Sequence, residues 1–289
     1  MADWRKHLRI RKGFLFCLAA LFVAAVIVSC NGMFYYPDNR EYCRLGDVCK
    51  RAEEVWFMSR DGTKLHGWFL FSDITPAKGT VLHFHGNAQN LTSHVGFVDW
   101  LPKEGYNVFC FDYRGYGKSQ GSVAREGTVH DGVAAIAYLR SRSATDPQRI
   151  AILGQSLGGA IAVAALGENG VDGVKAVVID SSFASYRDIA NDKLGGTFLT
   201  YPFIWALIRG GHEPDESIVR IAPVPFLFLH GDADSVVPIE HGMELYRQAK
   251  HPKEFITIPG GEHTSGLHNP EYREMVLKFL AKSLGKESS

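Results

Sequence analysis

Ile150-Ala151-Ile152-Leu153-Gly154-Gln155-Ser156-Leu157-Gly158-Gly159-Ala160 is the stretch on which the fold turns. Its first four apolar residues read as a buried strand. The small residues after Ser156 read as the opening of a helix. Between them, Gly154 and Gly158 permit a strained strand-to-helix turn with close backbone packing. Such a turn lifts the serine hydroxyl above the sheet, at a helix N-terminus where developing negative charge is favoured. Ser156 is therefore the candidate nucleophile. The plainer alternative is a glycine-rich turn carrying a solvated serine.

The surroundings repeat the same alternation. Short apolar segments at 80–85, 107–113, 149–155, 174–180, 225–230 and 254–258 read as strands buried on both faces. Helical segments at 92–103, 128–140, 157–166, 239–249 and 270–284 fall between or after them. Upstream, residues 54–59 and 64–71 alternate in polarity and are joined by Arg60-Asp61-Gly62, a hairpin signal. A hairpin followed by strand–helix units predicts an α/β fold, a mostly parallel sheet with helices on both faces. Residues 182–221 break the alternation. They are rich in aromatic and aliphatic side chains and are interrupted by Gly195-Gly196 and Pro202. A long excursion between two sheet strands is expected to be a lid, with core packing as the alternative. Its apolar part is too short for a membrane span.

A serine hydroxyl is not ionised near neutral pH and needs a base. The chain has twelve histidines. His263, in Pro259-Gly260-Gly261-Glu262-His263-Thr264, follows the last strand and precedes the last helix, on the sheet edge that carries Ser156. His268 is its rival. The base needs an acid to orient it and stabilise the imidazolium. Asp234 follows the penultimate strand; Asp232 close by and Asp180 one strand earlier are the alternatives. The oxyanion calls for backbone donors. One is the Leu157 amide, and the second is expected from the loop after the strand ending in His85, through the main-chain amide of Asn87. The Asn87 side chain could cap the following helix instead or as well. His83 and His85 flank Phe84 without any further ligand motif and read as structural; His230 reads as holding a turn. Gly117-Lys118-Ser119 imitates the end of a phosphate-binding loop, but Asp112 stands where its first glycine belongs.

With Ser156, Asp234 and His263 in that order, the sequence resembles the α/β-hydrolase superfamily across almost the whole chain after its N-terminal leader. His85-Gly86-Asn87-Ala88 together with Phe111-Asp112-Tyr113-Arg114-Gly115-Tyr116-Gly117-Lys118-Ser119-Gln120-Gly121 looks like one subgroup. It includes bacterial membrane-associated hydrolases and eukaryotic membrane-anchored protein depalmitoylases, and is often grouped with serine aminopeptidase-like sequences. The resemblance implies an α/β-hydrolase fold with a lid. It implies Ser156 as nucleophile, His263 as proton shuttle, Asp234 as its orienting acid, and the Asn87 and Leu157 amides as oxyanion hole. The expected substrate is a small-molecule or lipid-like ester or thioester with an apolar acyl part, with no metal or organic cofactor required. Two other readings stay open. An aminopeptidase would need an anionic subsite for a free amine, which Glu213, Asp215 and Glu216 could supply. A non-enzymatic lipoprotein would carry a vestigial triad. A haloalkane-type enzyme is disfavoured, since its nucleophile is aspartate.

The 289 residues carry zero formal net charge, with 46% apolar and 21% charged residues. That suits one large α/β domain and gives no pull toward nucleic acid. The division expected is a signal peptide or membrane anchor over 1–29, a tether over 30–51 and the hydrolase domain over 52–285. Arg5, Lys6, Arg9, Arg11 and Lys12 precede an uncharged apolar run over 14–28. The run ends Ile27-Val28-Ser29-Cys30, which resembles the lipobox of bacterial lipoproteins and implies lipid attachment at Cys30. The chain is thus expected to be a membrane-anchored, extracytoplasmic lipoprotein. An uncleaved transmembrane anchor and a buried helix are the alternatives. Such a compartment permits a Cys43–Cys49 disulfide, against a pair of free thiols.

Overall fold

The computed structural model describes residues 34–199, 201–208 and 210–285. The leader and Cys30 lie outside the described residues. Among these residues no helix is long and apolar enough to cross a membrane.

Eight strands form the central sheet. They are β2 (Ala52–Met58), β3 (Lys64–Leu70), β4 (Thr80–Phe84), β6 (Asn107–Phe111), β7 (Ile150–Gln155), β8 (Val174–Asp180), β9 (Phe226–Gly231) and β10 (Lys253–Ile258). Their spatial order is β10-β9-β8-β7-β4-β6-β3-β2. The β2–β3 and β3–β6 pairs are antiparallel and the others parallel. The Asp-Gly turn between β2 and β3 closes as read, with Gly62 at φ 84°. This is the predicted α/β architecture.

Strand periodicity divides the core. On β7, Ile150 and Ile152 join one apolar cluster and Ala151 and Leu153 the other. Successive residues of a strand face opposite sides of the sheet, so a strand covered on both sides must be apolar throughout. Helices α3 (Arg125–Ser141), α4 (Leu157–Asn169) and α8 (Ile239–Gln248) supply the first cluster. Helices α2 (Leu91–His94) and α9 (Pro270–Leu284) supply the second. Every residue of α4 from Leu157 to Leu166 is buried, which explains its lack of a polar face.

Three expectations are corrected. The helix read over 92–103 is only α2 followed by a 3-10 turn, Val95–Phe97. Gly96 weakens its continuation and Pro102 prevents it. The expected tether packs on the domain: Tyr35 is buried, and Cys43, Leu45, Val48 and Cys49 lie against the second cluster. There β1 (Tyr36–Pro37) pairs in parallel with β5 (Ala88–Gln89). Cys43 and Cys49 are separate thiols rather than a disulfide. Helix α1 (Leu45–Val48) stands between them; Cys43 Sγ donates to the Thr92 carbonyl at 2.9 Å and Cys49 Sγ to the Arg51 carbonyl at 3.4 Å.

The excursion forms three short helices, α5 (Tyr186–Lys193), α6 (Tyr201–Leu207) and α7 (Pro214–Ile218). Ser185 caps α5 through its hydroxyl, and α5 buries Tyr186, Ile189 and Ala190. Of α6, Ile204 is buried, whereas Phe203 and Trp205 are exposed, as are Leu194, Phe198 and Leu199 before it.

Candidate active site

Ser156 sits between β7 and α4 at φ 52° and ψ −123°. An L-residue adopts that conformation only when its surroundings enforce it. Here the Ser156 amide donates to the Asp180 carbonyl at 2.8 Å, and the Ser156 carbonyl accepts from Ser182 Oγ at 2.7 Å. A Cβ on Gly158 would lie 2.2 Å from the Phe84 carbonyl oxygen, and one on Gly154 would lie 2.6 Å from Gly159 Cα. The flanking glycines are therefore required by backbone contact.

His263 follows β10. Its Nδ1 is 2.8 Å from Asp234 Oδ2, the geometry of an N–H donated to the carboxylate. Asp234 is buried, and its Oδ1 accepts from the Val236 and Val237 amides, both at 2.8 Å. Burial opposes its ionisation, but hydrogen bonds from His230, His263 and the Val237 amide prevail and hold the carboxyl well below the usual range. His230 Nε2 lies 2.8 Å from the Val237 carbonyl and ties down the same loop. Asp234 therefore presents an anion to the His263 ring. Nε2 of His263 has no hydrogen-bond partner among the described residues, and the ring lines the same cavity as Ser156.

Asp180 occupies a different place. It is fully buried, and burial raises its pKa. Its Oδ2 accepts from Gln155 Nε2 at 3.0 Å, and Gln155 Oε1 lies 2.9 Å from His83 Nε2. Burial pushes His83 down to about 3, which keeps it neutral. These three side chains make a polar floor under the serine turn. Asp232 instead accepts from the Gly260 amide at 2.6 Å. His268 packs against Phe97 with ring centroids 4.6 Å apart and ring planes tilted by 46°, and is not in the cavity lining.

Leu157 opens α4, where an N–H has no acceptor within the helix. Asn87 lines the cavity beside it. The Asn87 side chain does not cap the next helix: Asn90 does, accepting from the Thr92 amide at 3.0 Å. Asn87 Oδ1 instead accepts from the Tyr36 amide at 2.9 Å. Tyr116 Oη donates to the Asn87 carbonyl at 2.7 Å. Asp112 Oδ1 accepts from the Leu91 amide at 2.7 Å, fixing the start of α2. The loop over 112–121 is thus a buttress for the Asn87 turn. Sequence reasoning missed Tyr116 and Tyr36 because their partners are distant in the chain.

The cavity has a volume of about 460 Å³. Ser156, Leu157, Asn87, His263 and Gln155 form its polar end. Phe34, Phe97, Phe183, Ile189, Ala190, Val236 and Val237 form most of the rest, with Lys193 among them. Among the described residues its lining carries no acidic side chain. A serine in one cavity with a histidine paired to a buried carboxylate is an arrangement that can perform acyl transfer.

A family model described as alpha/beta hydrolase fold matches residues 79–205. A second, described as serine aminopeptidase S33, matches residues 174–269. YfhR of Escherichia coli (strain K12) is 39% identical over 282 residues, covering 93% of this chain and 96% of that protein. The alpha/beta hydrolase domain-containing protein WAV2 of Arabidopsis thaliana is 34% identical over 250 residues, covering 80% of this chain and 79% of that protein. Among solved structures, the Pyrococcus furiosus esterase Pf2001 superposes with a TM-score of 0.70 at 23% identity, over 87% of this chain and 98% of its own. At that identity the likeness speaks for the fold.

Proposed function

The chain belongs to the α/β-hydrolase family, and on that premise we propose that it is a serine hydrolase cleaving carboxylic esters or thioesters with an apolar acyl group. The observation that carries this reading is the cavity, which joins Ser156 and His263 to a predominantly apolar lining. Ser156 Oγ attacks the acyl carbonyl carbon while His263 Nε2 takes the hydroxyl proton. The ionised Asp234 stabilises the imidazolium so formed. The Leu157 and Asn87 amides hold the developing oxyanion, each worth about 3 kcal/mol in such sites. The intermediate collapses, the C–O or C–S bond breaks, and the imidazolium protonates the departing alcohol or thiol. Water repeats the sequence on the acyl-enzyme, releasing the carboxylic acid and restoring Ser156.

The leader anchors the chain at a membrane, through acylated Cys30 or as an uncleaved span. Phe34 lines the cavity and lies four residues after Cys30. Extended chain spans at most ~3.6 Å per residue, so the cavity wall sits within about 14 Å of that anchor point. A lipid-like acyl substrate is in keeping with that proximity.

Ser156→Ala is expected to abolish both p-nitrophenyl ester turnover and labelling by a fluorophosphonate probe. Undiminished labelling of that variant would contradict the assignment. The aminopeptidase reading, with which the description of the second family model agrees, has less in its favour. Glu213 is buried against Arg125 Nη1 at 3.0 Å and the Tyr186 amide at 2.9 Å, and neither Asp215 nor Glu216 lines the cavity. Turnover of aminoacyl amides ahead of acyl esters would reinstate it.

A further inference from the structure

A second group of ionisable side chains lies where α3, α4 and the exit of the excursion meet. Glu126 and His130 stand one turn apart on α3 and share a face. His212 precedes α7 at φ 55°. One ligand-type atom from each of these three residues lies within 4.8 Å of the others. Glu168, near the C-terminal end of α4, completes the ring. Its Oε1 is 3.6 Å from His130 Nε2 and its Oε2 is 3.5 Å from His212 Nδ1. Glu126 Oε1 is 3.9 Å from the same His130 nitrogen.

The decisive atom is His130 Nε2. His130 is 7% exposed, and this nitrogen is buried without a hydrogen-bond partner among the described residues. A polar atom so placed carries a desolvation cost that a bound ligand would remove. We propose that Glu126, His130, His212 and Glu168 form a divalent transition-metal site of the zinc type. Two imidazoles and two carboxylates are a donor set that zinc takes in tetrahedral geometry. Zinc bonds of ~2.0–2.1 Å set neighbouring ligand atoms about 3.3 Å apart. The His130–Glu126, His130–Glu168 and His212–Glu168 separations of 3.9, 3.6 and 3.5 Å lie a little above this value.

Arg60 is the competitor. Its Nη1 holds Glu168 Oε1 at 2.9 Å, but its side chain is 56% exposed and free to swing into solvent. The site stands apart from the reaction centre. Glu168 is twelve residues along the chain from Ser156, about 18 Å at the rise of a helix. A metal there would fasten the end of the excursion to two core helices and take no part in acyl transfer.

The test uses the full chain in detergent, stripped by chelator and titrated calorimetrically with Zn²⁺. One equivalent of zinc is expected. Loss of a ligand costs at least as much as loss of an outer-sphere partner, so His130→Gln and His212→Asn are expected to bind about tenfold more weakly or worse. Their fluorophosphonate labelling should match the parent, reporting an intact fold. Arg60→Ala, at an exposed position, should bind zinc more tightly because it frees Glu168. No zinc uptake by the parent, parental affinity in both histidine variants, or unchanged affinity in Arg60→Ala would each overturn the proposal.

Discussion

Gly158 leaves no room for a side chain, because an added Cβ would meet the Phe84 and His85 carbonyl oxygens at 2.2 and 2.4 Å. Gly158→Ala is expected to destabilise the chain by about 1–3 kcal/mol or more, since backbone on both sides must shift. Urea midpoints measure this, and an unchanged midpoint would show that the turn relaxes freely. His83 makes a second prediction at this scale. Its folded pKa of about 3 lies below the usual histidine value of about 6.5, so unfolding takes up a proton between those values. Its contribution is fully present above pH 6.5 and is lost as pH falls toward 3, by about 1.4 kcal/mol per pH unit. His83→Gln should therefore flatten the pH dependence of unfolding free energy between pH 6.5 and 4. An identical slope in parent and variant would speak against it. Ser156 and His263 could be picked out from the sequence because each sits just after a strand, on one edge of the sheet. Asp180 and Asp234 were harder to separate, since Asp180 ends β8 and Asp234 follows β9 on that same edge. Only the hydrogen bonds distinguish them: Asp234 meets His263, and Asp180 meets Gln155.

At the scale of elements, strand β7, the β2–β3 hairpin and helix α9 were legible because local rules govern them. Helix α9 begins at Pro270, with Asn269 capping it through the Glu271 amide, and ends at Leu284. The pairing of β1 with β5 was illegible. Two residues on each side carry no periodicity, and their register comes from contacts such as that of the Tyr36 amide with Asn87 Oδ1. The Asn87 turn is held from the other side by Tyr116. Tyr116→Phe removes the hydrogen bond to the Asn87 carbonyl and is expected to cost about 1 kcal/mol of stability. Because Tyr116 acts by positioning the Asn87 amide, kcat for acyl esters should fall about tenfold while KM stays near the parental value. Equal losses in short- and long-chain esters are expected. A rise in KM alone would point to a role in binding instead.

For the molecule as a whole, the excursion and the N-terminal approach converge on one cavity. Phe34 packs edge-to-face on Tyr186 with ring centroids 5.0 Å apart, joining the start of the described chain to α5. Phe198 is 84% and Phe203 71% exposed, an apolar surface on the segment whose first helix lines the cavity. If that surface receives acyl chains, Phe198→Ser with Phe203→Ser should lower kcat/KM for long-chain esters about tenfold and leave acetyl esters unaffected. Stability should shift by no more than about 0.5 kcal/mol, as at other exposed positions. Equal effects on both chain lengths would remove the excursion from acyl recognition. By itself the sequence determined the α/β class, the serine turn and the chain order in which Ser156, Asp234 and His263 follow their strands. Those follow from strand periodicity, glycine placement and chain order, which are local properties. Tertiary structure alone decided which carboxylate faces His263, that residues 34–51 pack on the domain, and that Cys43 and Cys49 stay apart. It also gathered Glu126, His130, Glu168 and His212 at one point. Each of these depends on side chains that meet only after the sheet and its helices have packed, and spacing along the chain carries no trace of such meetings.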